Sequence, residues 1–600
     1  MHPISRRGAL ALMSASALTP ITGCMTPAST TASTSTSAAP AVGAADVQFA
    51  AIVSRTLDGM VRQSPVTGTQ LGDHRFDGEL DDVSAAGRTA SATFRNGLLA
   101  DIGQLGQTKL SPASQVDCAM LKTQLELGAW DDDVSESYAW DPLPYNDTAG
   151  GALYSLMARE FAPLPERLNH AASRMEKLPG LFAQARANLV AERVPRVHAD
   201  TLAQQNLGVM SIVNDLILAQ ASQLGPNDRA RLQAAADALK TAVDEHQHWI
   251  ETVLVPGAKG DFRIGADHFD RKLALALNSP MSRADIKARA QAQIEAIRAE
   301  MAEIAGSIVT PPANERWTEQ RLIEAALERA YADRPARAEV VPQARATLQQ
   351  ATDYVRQRDL ITLPDAPVQV ILMPEFQRGV AVAYCDPPGP LDRGQSTFFA
   401  VSPIPDSWTD EQTTSFLREY NNSEIHELTM HEAMPGHYVQ LWHANRYPSV
   451  IRAALYSGTF VEGWACYAQD MMNEQGYRYD NPLQRLINRK MCLRLVANAI
   501  LDQGVHVDGM SRDDAMQLMT QTTFQQEREA AGKWIRASVS STQLSTYFVG
   551  WSEHHALRDE AQRRAGASFD LKTYHDKVLS FGSPPVRYAR ALMFGEAIPT

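Results

Sequence analysis

The sequence contains few cysteines, no excess of basic residues and no long apolar run beyond its N-terminus. Five cysteines in 600 residues are too few for a disulfide-stabilised scaffold or an array of zinc ribbons. Lysine and arginine number 56 against 69 aspartate and glutamate, a net charge of −13, which disfavours a general nucleic-acid-binding protein. The single membrane-directed stretch lies at the extreme N-terminus, so the sequence does not describe a multi-spanning membrane protein.

Two common enzyme motifs are also missing. There is no G-x-S-x-G segment for a serine hydrolase and no G-x-x-x-x-G-K-[ST] loop for a nucleotide phosphate. The hydrophobic fraction of 44% and the charged fraction of 21% are typical of a globular protein, which excludes wholesale disorder. The length suits three or four small domains or one large helical enzyme.

Residues 1–23 have the pattern of an export signal. Ser5-Arg6-Arg7 is a charged start, and an apolar segment too short for a typical spanning helix follows over residues 8–22. Ile21-Thr22-Gly23-Cys24 resembles a bacterial lipobox, which predicts a lipid on Cys24. The alternative is an ordinary secretory signal in which Cys24 has no role, and the twin arginines leave the choice of export route open.

Residues 24–45 predict a flexible tether. They are rich in serine, threonine, alanine and proline and carry no charge, so they cannot bury enough apolar surface to offset the entropy of ordering. Met25, and not an aspartate, follows Cys24, which in Gram-negative sorting favours the outer membrane. We therefore expect an exported protein, either on the periplasmic face of the outer membrane as a lipoprotein or in the periplasm.

The chain from residue 46 onward predicts a mostly α-helical protein. Apolar residues recur at helical spacing in long segments, for example 232–246 and 283–304, which Ser282 would cap. Proline and glycine, as in Pro179-Gly180, punctuate these segments. We expect a helical N-terminal region over 46–365 and a catalytic region over 366–600, packed as two lobes of one large unit.

Two short segments of the second region predict strands. They are Val368–Met373 and Thr397–Val401, which are rich in β-branched and aromatic residues. They come just before the segment that is richest in metal-binding residue types, so we expect a small β element beside the active-site helix.

That segment contains His426, Glu427, His431, Glu432 and His437 within twelve residues, in a chain with 15 histidines. Zinc binds imidazole and carboxylate, and in the helical H-E-x-x-H motif the glutamate is the general base. Here the second histidine follows six residues after the first rather than four, a rotation of about 600° that separates the two on a regular helix.

Pro435-Gly436 resolves this conflict, because a local kink or bulge there could return His437 to the side of His431. A third ligand is then required, and Glu462, 25 residues after His437, would supply it from a following helix. His426 is placed as a neighbour rather than a ligand, and Glu427 could orient the free ring nitrogen of His431.

Two runs of residues resemble the bacterial domain-of-unknown-function family 885. They are His431-Glu432-Ala433-Met434-Pro435-Gly436-His437-Tyr438-Val439-Gln440 and Glu462-Gly463-Trp464-Ala465-Cys466-Tyr467-Ala468, followed by Asp502-x-Gly504-x-His506, Tyr547-x-x-Gly550 and Gly582-Ser583-Pro584-Pro585. The resemblance implies an exported protein similar to zinc peptidases of the gluzincin type, with a helical, deep-clefted fold like angiotensin-converting enzyme.

The sequence departs from the family pattern at two places. Gln469 stands where the family usually has a second acidic residue, which favours Glu462 as the ligand. Lys533-Trp534 stands where the family tends to have Arg-Tyr, which puts a substrate-binding role of that pair in doubt.

We therefore predict a zinc-dependent peptidase of the cell envelope, with Zn²⁺ held by His431, His437 and Glu462 and with Glu432 as the general base. The oxyanion needs a second donor: Tyr547 is the first choice, by the resemblance, and His506 the second, although Tyr547 could equally be a core tyrosine. The expected partners are a peptide substrate and the lipid anchor, with no nucleic acid. The alternatives are a zinc hydrolase of another amide or ester, and a binding lipoprotein of the same fold without turnover.

Overall fold

The computed structural model describes residues 43–373, 383–406 and 408–599. The expected signal at 1–23, the lipidation site Cys24 and all but the last three residues of the tether at 24–45 lie outside the described residues. The first helix begins at Ala44, two residues before the expected start of the folded body.

The described residues are mostly helical, as predicted, and fourteen α-helices precede the sheet. They are α1 Ala44–Gln63, α2 Pro65–Gln70, α3 Ala85–Gln104, α4 Pro112–Trp130, α5 Leu143–Met157, α6 Leu164–Asn188, α7 Arg196–Gln205, α8 Gly208–Ile212, α9 Pro226–Trp249, α10 Val255–Gly257, α11 Gly265–Leu277, α12 Arg283–Ile308, α13 Glu319–Ala332 and α14 Val340–Arg358.

Eleven further helices follow it. They are α15 Asp410–Glu419, α16 Asn422–Glu432, α17 His437–Ala444, α18 Val450–Ala454, α19 Gly458–Glu474, α20 Pro482–His506, α21 Arg512–Gln517, α22 Glu527–Val539, α23 Ser545–Ala565, α24 Leu571–Leu579 and α25 Val586–Phe594.

Local sequence signals explain some helix boundaries and fail at others. The predicted cap of α12 is present as a full capping box, in which Ser282 and Asp285 bond each other's backbone. Pro179, predicted to interrupt the chain, lies inside α6. Its missing hydrogen bond costs about 3 kcal/mol, and the apolar face of α6, with Met175, Leu178 and Phe182 in the core, offsets that cost.

A three-stranded sheet stands between the two sets of helices. Its strands are β1 Gln369–Leu372, β2 Ala383–Asp386 and β3 Phe398–Val401, in the order β1-β3-β2. β3 pairs in parallel with β1 and antiparallel with β2, so that Phe399 faces both Val370 and Cys385. The predicted strands β1 and β3 are confirmed, whereas β2 was not predicted because Ala-Tyr-Cys-Asp has no clear apolar alternation.

The helices pack across residue 365. Helix α12 runs against α20, and α16 packs on α14, α19 and α20. One apolar core accordingly joins residues of α11, α12 and α13 with residues of α20 and α23. Among the described residues, the apolar core therefore continues across the boundary expected near residue 365.

None of the helices in the described ranges has both the length and the apolar character needed to cross a bilayer.

Candidate metal centre

The kink predicted at Pro435-Gly436 is present and divides the histidine-rich segment between two helices. Helix α16 ends at Glu432, and α17 begins at His437. A Cβ atom on Gly436 would lie 1.9 Å from the carbonyl oxygen of His431, so only glycine permits this close approach. Trp464 of α19 donates from its indole nitrogen to the carbonyl oxygen of Pro435 at 3.0 Å, which fixes the kink against the neighbouring helix.

The kink brings His431 and His437 together, and α19 adds Glu462. The centroids of the two imidazole rings lie 4.7 Å apart. Glu462 Oε2 is 3.6 Å from His431 Nε2 and 3.4 Å from His437 Nε2, and one ligand atom from each residue lies within 4.8 Å of the others. The three predicted metal ligands therefore form one cluster.

The spacing of this cluster fits a shared metal ion better than hydrogen bonding. An N–H···O bond has a donor–acceptor distance of about 2.7–3.2 Å, shorter than either contact. Ligand atoms about 2.0–2.1 Å from a tetrahedral zinc lie about 3.3–3.4 Å from one another. In addition, Glu462 Oε2 is buried and has no hydrogen-bond partner among the described residues, although buried carboxylate oxygens are normally paired. The three residues therefore fit Zn²⁺.

The charge of the cluster also suits a cation. Burial opposes ionisation of Glu462, but the rings of His431 and His437 outweigh it and hold the pKa of Glu462 well below its usual range. An ionised carboxylate beside two imidazole nitrogens is a donor set typical of zinc.

The other ring nitrogen of His431 is oriented by an amide. His431 Nδ1 lies 3.0 Å from Gln469 Oε1, and Gln469 Nε2 donates to Glu427 Oε2 at 3.1 Å. Because Gln469 Oε1 can only accept, Nδ1 is the donor in this contact, and Nε2 is the ring nitrogen that faces the cluster. The sequence suggested that Glu427 orients His431 itself. In the structure, Glu427 is linked to His431 through Gln469.

Glu427 is itself fixed from all sides. It is fully buried, and amide groups donate to its carboxylate from Gln469, Asn473, Gln484 and Asn488 at 2.8–3.2 Å. Burial raises the pKa of Glu427 to about 7, against the lowering effect of these amides. This network joins α16, α19 and α20, so the orientation of His431 depends on how these three helices pack.

Glu432 stands beside the cluster and is positioned by β2. Its Oε2 accepts a hydrogen bond from the backbone nitrogen of Cys385 at 3.0 Å, and it is not one of the three convergent donors. Burial raises the pKa of Glu432, while the neighbouring His431 and His437 rings oppose the increase. A carboxylate next to the metal ligands with a raised pKa is suited to accept a proton.

Tyr547, the first choice for the oxyanion donor, lines the same cavity as the cluster. Arg536 Nη2 donates to its hydroxyl oxygen at 2.9 Å, so the hydroxyl hydrogen is free to donate elsewhere. Burial raises the pKa of Tyr547, Arg536 lowers it and the nearby Glu462 raises it, so the phenol stays protonated at neutral pH.

His506, the second choice, is not brought to the cluster. Its Nε2 lies 2.8 Å from the carbonyl oxygens of Ala537 and Ser540, and the ring is buried and absent from the cavity lining. Asp502, one turn earlier, accepts from the backbone nitrogens of Thr542 and Ser545. The Asp502-x-Gly504-x-His506 motif thus fixes the turn between α22 and α23, and we no longer assign His506 a role in the reaction.

His426 also lies outside the cluster, as the sequence indicated. Its Nδ1 contacts the Tyr477 hydroxyl at 2.9 Å, and burial lowers its pKa to about 3. It is a neutral core histidine.

The cluster opens into a cavity of about 970 Å³. Its lining includes Trp130 and Lys272 from helices before the sheet and Arg536 and Tyr547 from helices after it. Sequence reasoning missed Arg536 and the backbone of Cys385, because neither belongs to a local motif. Arg536 could have been found by looking for a basic residue on the helix before Tyr547. No feature of the sequence of β2 indicates that the backbone of Cys385 would contact Glu432.

The described residues form a large, mostly helical protein in which two histidines and a glutamate converge at a cavity of about 970 Å³. The model of the family described as "Bacterial protein of unknown function (DUF885)" matches residues 65–593, and the chain belongs to this family. The resemblance given by the sequence motifs is thereby confirmed at the level of the family.

Two solved structures share the fold. One, from Shewanella oneidensis, is described as "a putative lipoprotein of unknown function"; it is 32% identical, has a TM-score of 0.77 and covers 92% of this chain and 100% of its own. The other, "the putative lipoprotein from Colwellia psychrerythraea", is 16% identical, with a TM-score of 0.76 and coverage of 92% and 99%. No curated protein matches the chain.

Proposed function

We propose that the protein is a zinc-dependent peptide hydrolase of the bacterial cell envelope. The observation that carries the proposal is the convergence of His431, His437 and Glu462 on one point, with the buried Glu462 Oε2 3.4–3.6 Å from both imidazole nitrogens. Glu432 lies beside this point and completes the residue set of a metallohydrolase. Zn²⁺ held by the three ligands would supply Lewis-acid polarisation and would lower the pKa of water.

Glu432 is the proposed general base. Its carboxylate accepts a proton from the attacking water, whose oxygen bonds to the scissile carbonyl carbon. As the C–N bond breaks, Glu432 returns that proton to the leaving nitrogen, so that one water is consumed for each bond cleaved. The backbone amide of Cys385 holds one carboxylate oxygen at 3.0 Å and leaves the other for this transfer.

Tyr547 is the proposed donor to the oxyanion. Because Arg536 already donates to the Tyr547 oxygen, the phenolic hydrogen points away from Arg536 and is free for the substrate. The positive charge of Arg536 also makes the phenol a stronger donor.

The fold supports a metallopeptidase of the gluzincin type. Two histidines from consecutive helices and a glutamate from the next long helix, α19, surround the proposed ion. The cavity of about 970 Å³ has room for several residues of a peptide, since ligand pockets of about 300–1,000 Å³ enclose drug-sized molecules.

We also propose that the protein is anchored as a lipoprotein through Cys24. The lipobox-like sequence supports this, and the descriptions of both structural relatives contain the words "putative lipoprotein". The uncharged tether over residues 24–45 would then hold the catalytic body near the periplasmic face of the outer membrane.

Two glutamate variants test the proposal. Wild-type protein is expected to contain about one zinc per chain and to cleave members of a random peptide library in a chelator-sensitive manner. Glu432→Gln should keep its zinc and lose about 10²–10⁴ in rate, whereas Glu462→Gln should lose zinc because an amide is a poorer ligand than a carboxylate. Metal content is measured by mass spectrometry of purified protein, and cleavage by product analysis.

Glu411→Gln, a change at an exposed position of α15, is the matched control and should retain both properties. If zinc-loaded protein cleaves esters or other amides but no peptide, the proposed substrate is an ester or another amide and not a peptide. Zinc-loaded protein without turnover on any of these would favour a binding lipoprotein. Full zinc content in Glu462→Gln would contradict the ligand set.

A further inference from the structure

Helix α22 presents three charged residues to the cavity. Glu529, Lys533 and Arg536 follow at spacings of four and three residues, so they lie on one face of the helix, and all three line the cavity that contains the cluster. Lys533 and Arg536 are about 4.5 Å apart along the helix axis. The wall formed by α22 therefore presents two basic side chains and one acidic side chain to the cavity.

Lys533 is buried without a hydrogen bond to any described residue. The side chain is 5% exposed, and Nζ has no hydrogen-bond partner in the described ranges. The carboxylate of Glu529, one turn away, instead contacts Arg494 and accepts from the Tyr420 hydroxyl at 3.3 Å. A buried amino group without a hydrogen-bond partner is unfavourable.

Among the described residues, Arg536 is hydrogen-bonded only to neutral groups. Its Nη2 donates to the Tyr547 hydroxyl at 2.9 Å and to Gln543 Oε1 at 2.8 Å, and its Nε is buried without a partner in the described ranges. Within the part of the chain that the structure describes, neither of these two basic side chains is bonded to a carboxylate. Burial and Arg494 lower the pKa of Lys533 well below its ordinary value, against the raising effect of Glu529 and Glu419, and an anion bound here would favour the protonated form.

An anionic group of the substrate would supply the missing counter-charge. Arg536 connects Lys533 to the proposed reaction site. It donates a hydrogen bond to Tyr547, and the charge of Glu462 raises the pKa of Tyr547. Behind Lys533, α22 packs against α7 and α20, so a peptide that reached this wall would have to end there. A C-terminal carboxylate supplies the negative charge and also ends the peptide at this wall. An acidic side chain within a continuing peptide supplies only the charge.

We propose that Lys533, with Arg536 beside it, binds the C-terminal carboxylate of a peptide, so that the protein removes residues from the C-terminal end. This inference rests on the proposed function, since it names the substrate class of the same cavity.

Binding to the Glu432→Gln protein tests the carboxylate site without turnover. The probe is a pool of N-acetylated tetrapeptides, prepared with free carboxyl ends and as carboxamides. The retained ratio of acid to amide, measured by mass spectrometry, should be at least about tenfold, as one charge-assisted contact predicts. Adding Lys533→Met should reduce the ratio to below about threefold, and Lys533→Arg should keep most of it.

Lys272→Met is the matched control, because Lys272 also lines the cavity but contacts Ser541 Oγ at 2.7 Å. It should leave the acid-to-amide ratio unchanged. Lys533→Met removes a buried amino group that has no hydrogen-bond partner in the described ranges, so its melting temperature should be equal to or above that of the parent, which separates lost recognition from lost folding. An unchanged ratio in Lys533→Met would overturn the inference.

Two further arms identify the source of the carboxylate and separate the inference from the proposed function. Tetrapeptide amides with an internal glutamate should bind like other amides; binding equal to that of free acids would overturn the chain-end assignment. Wild-type protein that cleaves acids and amides equally at internal bonds would overturn the inference and leave the hydrolase standing. A Lys533-dependent preference for acids without any cleavage would uphold the carboxylate site and contradict the proposed function.

Discussion

The ring of His431 is held on one side by Gln469 and faces Glu462 and His437 with the other. The amide of Gln469 meets two demands: Oε1 accepts from His431 and Nε2 donates to Glu427. A carboxylate at position 469 would face Glu427 across about 3 Å, where two like charges repel strongly. An amide at this position therefore completes the hydrogen-bond chain.

Gln469→Leu should weaken zinc binding about 10–100-fold, because it leaves His431 Nδ1 unpaired and free to rotate. Competition with a chromophoric chelator measures the affinity. Gln475→Leu, a change just beyond α19, is the control and should bind zinc like the wild type. Wild-type affinity in Gln469→Leu would show that Gln469 does not orient the ligand.

Helices α16 and α17 bring His431 and His437 together because the helical path is interrupted between Glu432 and His437. A regular helix would place His431 and His437 on different faces, and the break depends on the close packing of Gly436 over the carbonyl of His431. The four-residue connection over 433–436, and not either helix alone, therefore brings the two histidines together.

Gly436→Ala should disrupt this connection. The added methyl would lie 1.9 Å from His431 O and 2.4 Å from Met430 O, so the backbone must shift and the two histidines separate. We expect a destabilisation of about 2–4 kcal/mol and loss of zinc, measured by urea denaturation and metal analysis. Gly306→Ala in α12 is the control: its Cβ meets nothing within 4 Å, and it should stabilise the protein by about 0.4–1 kcal/mol. Normal zinc content in Gly436→Ala would contradict the role of the kink.

At the scale of the whole molecule, the N-terminal helices brace the loop that follows β2. His74 lies between two carboxylates, 3.0 Å from Asp77 and 3.2 Å from Asp392, and its ring stacks on Phe161 at 3.7 Å. Burial lowers the pKa of His74, but the hydrogen bonds to Asp392 and Asp77 outweigh it and raise the pKa to about 9.

This bridge predicts a pH-dependent stability. Because the pKa of His74 is higher in the folded than in the unfolded chain, its contribution is complete below about pH 6.5 and is lost as the pH rises towards 9. His74→Gln should therefore lower the free energy of unfolding by roughly 1–3 kcal/mol at pH 6 and by much less at pH 9.5, measured by urea titration. His248→Gln, at an exposed histidine of α9, should cost little at either pH. A loss in His74→Gln that is equal at both pH values would exclude the charged bridge.

The proposed anchor acts on the whole molecule too. Cys24→Ala should move the protein from the membrane fraction to the soluble envelope fraction, because only a polar tether then remains. Fractionation followed by immunoblotting measures this, and Met25→Ala serves as the control that should stay membrane-bound. Unchanged membrane association of Cys24→Ala would refute lipidation at this residue.

The sequence by itself determined the helical class, two of the three strands and the residues of the cluster, because these depend on local periodicity and on motif spacing. It also located the kink, since proline and glycine act on the backbone where they stand. Only the tertiary structure decided the roles of residues whose partners are distant in the chain. It showed Gln469 between His431 and Glu427, placed Cys385 against Glu432, placed His506 at the α22–α23 turn and left Lys533 without a hydrogen bond to any described residue. These contacts arise from the packing of helices far apart in sequence, and no local pattern encodes which side chain will face which.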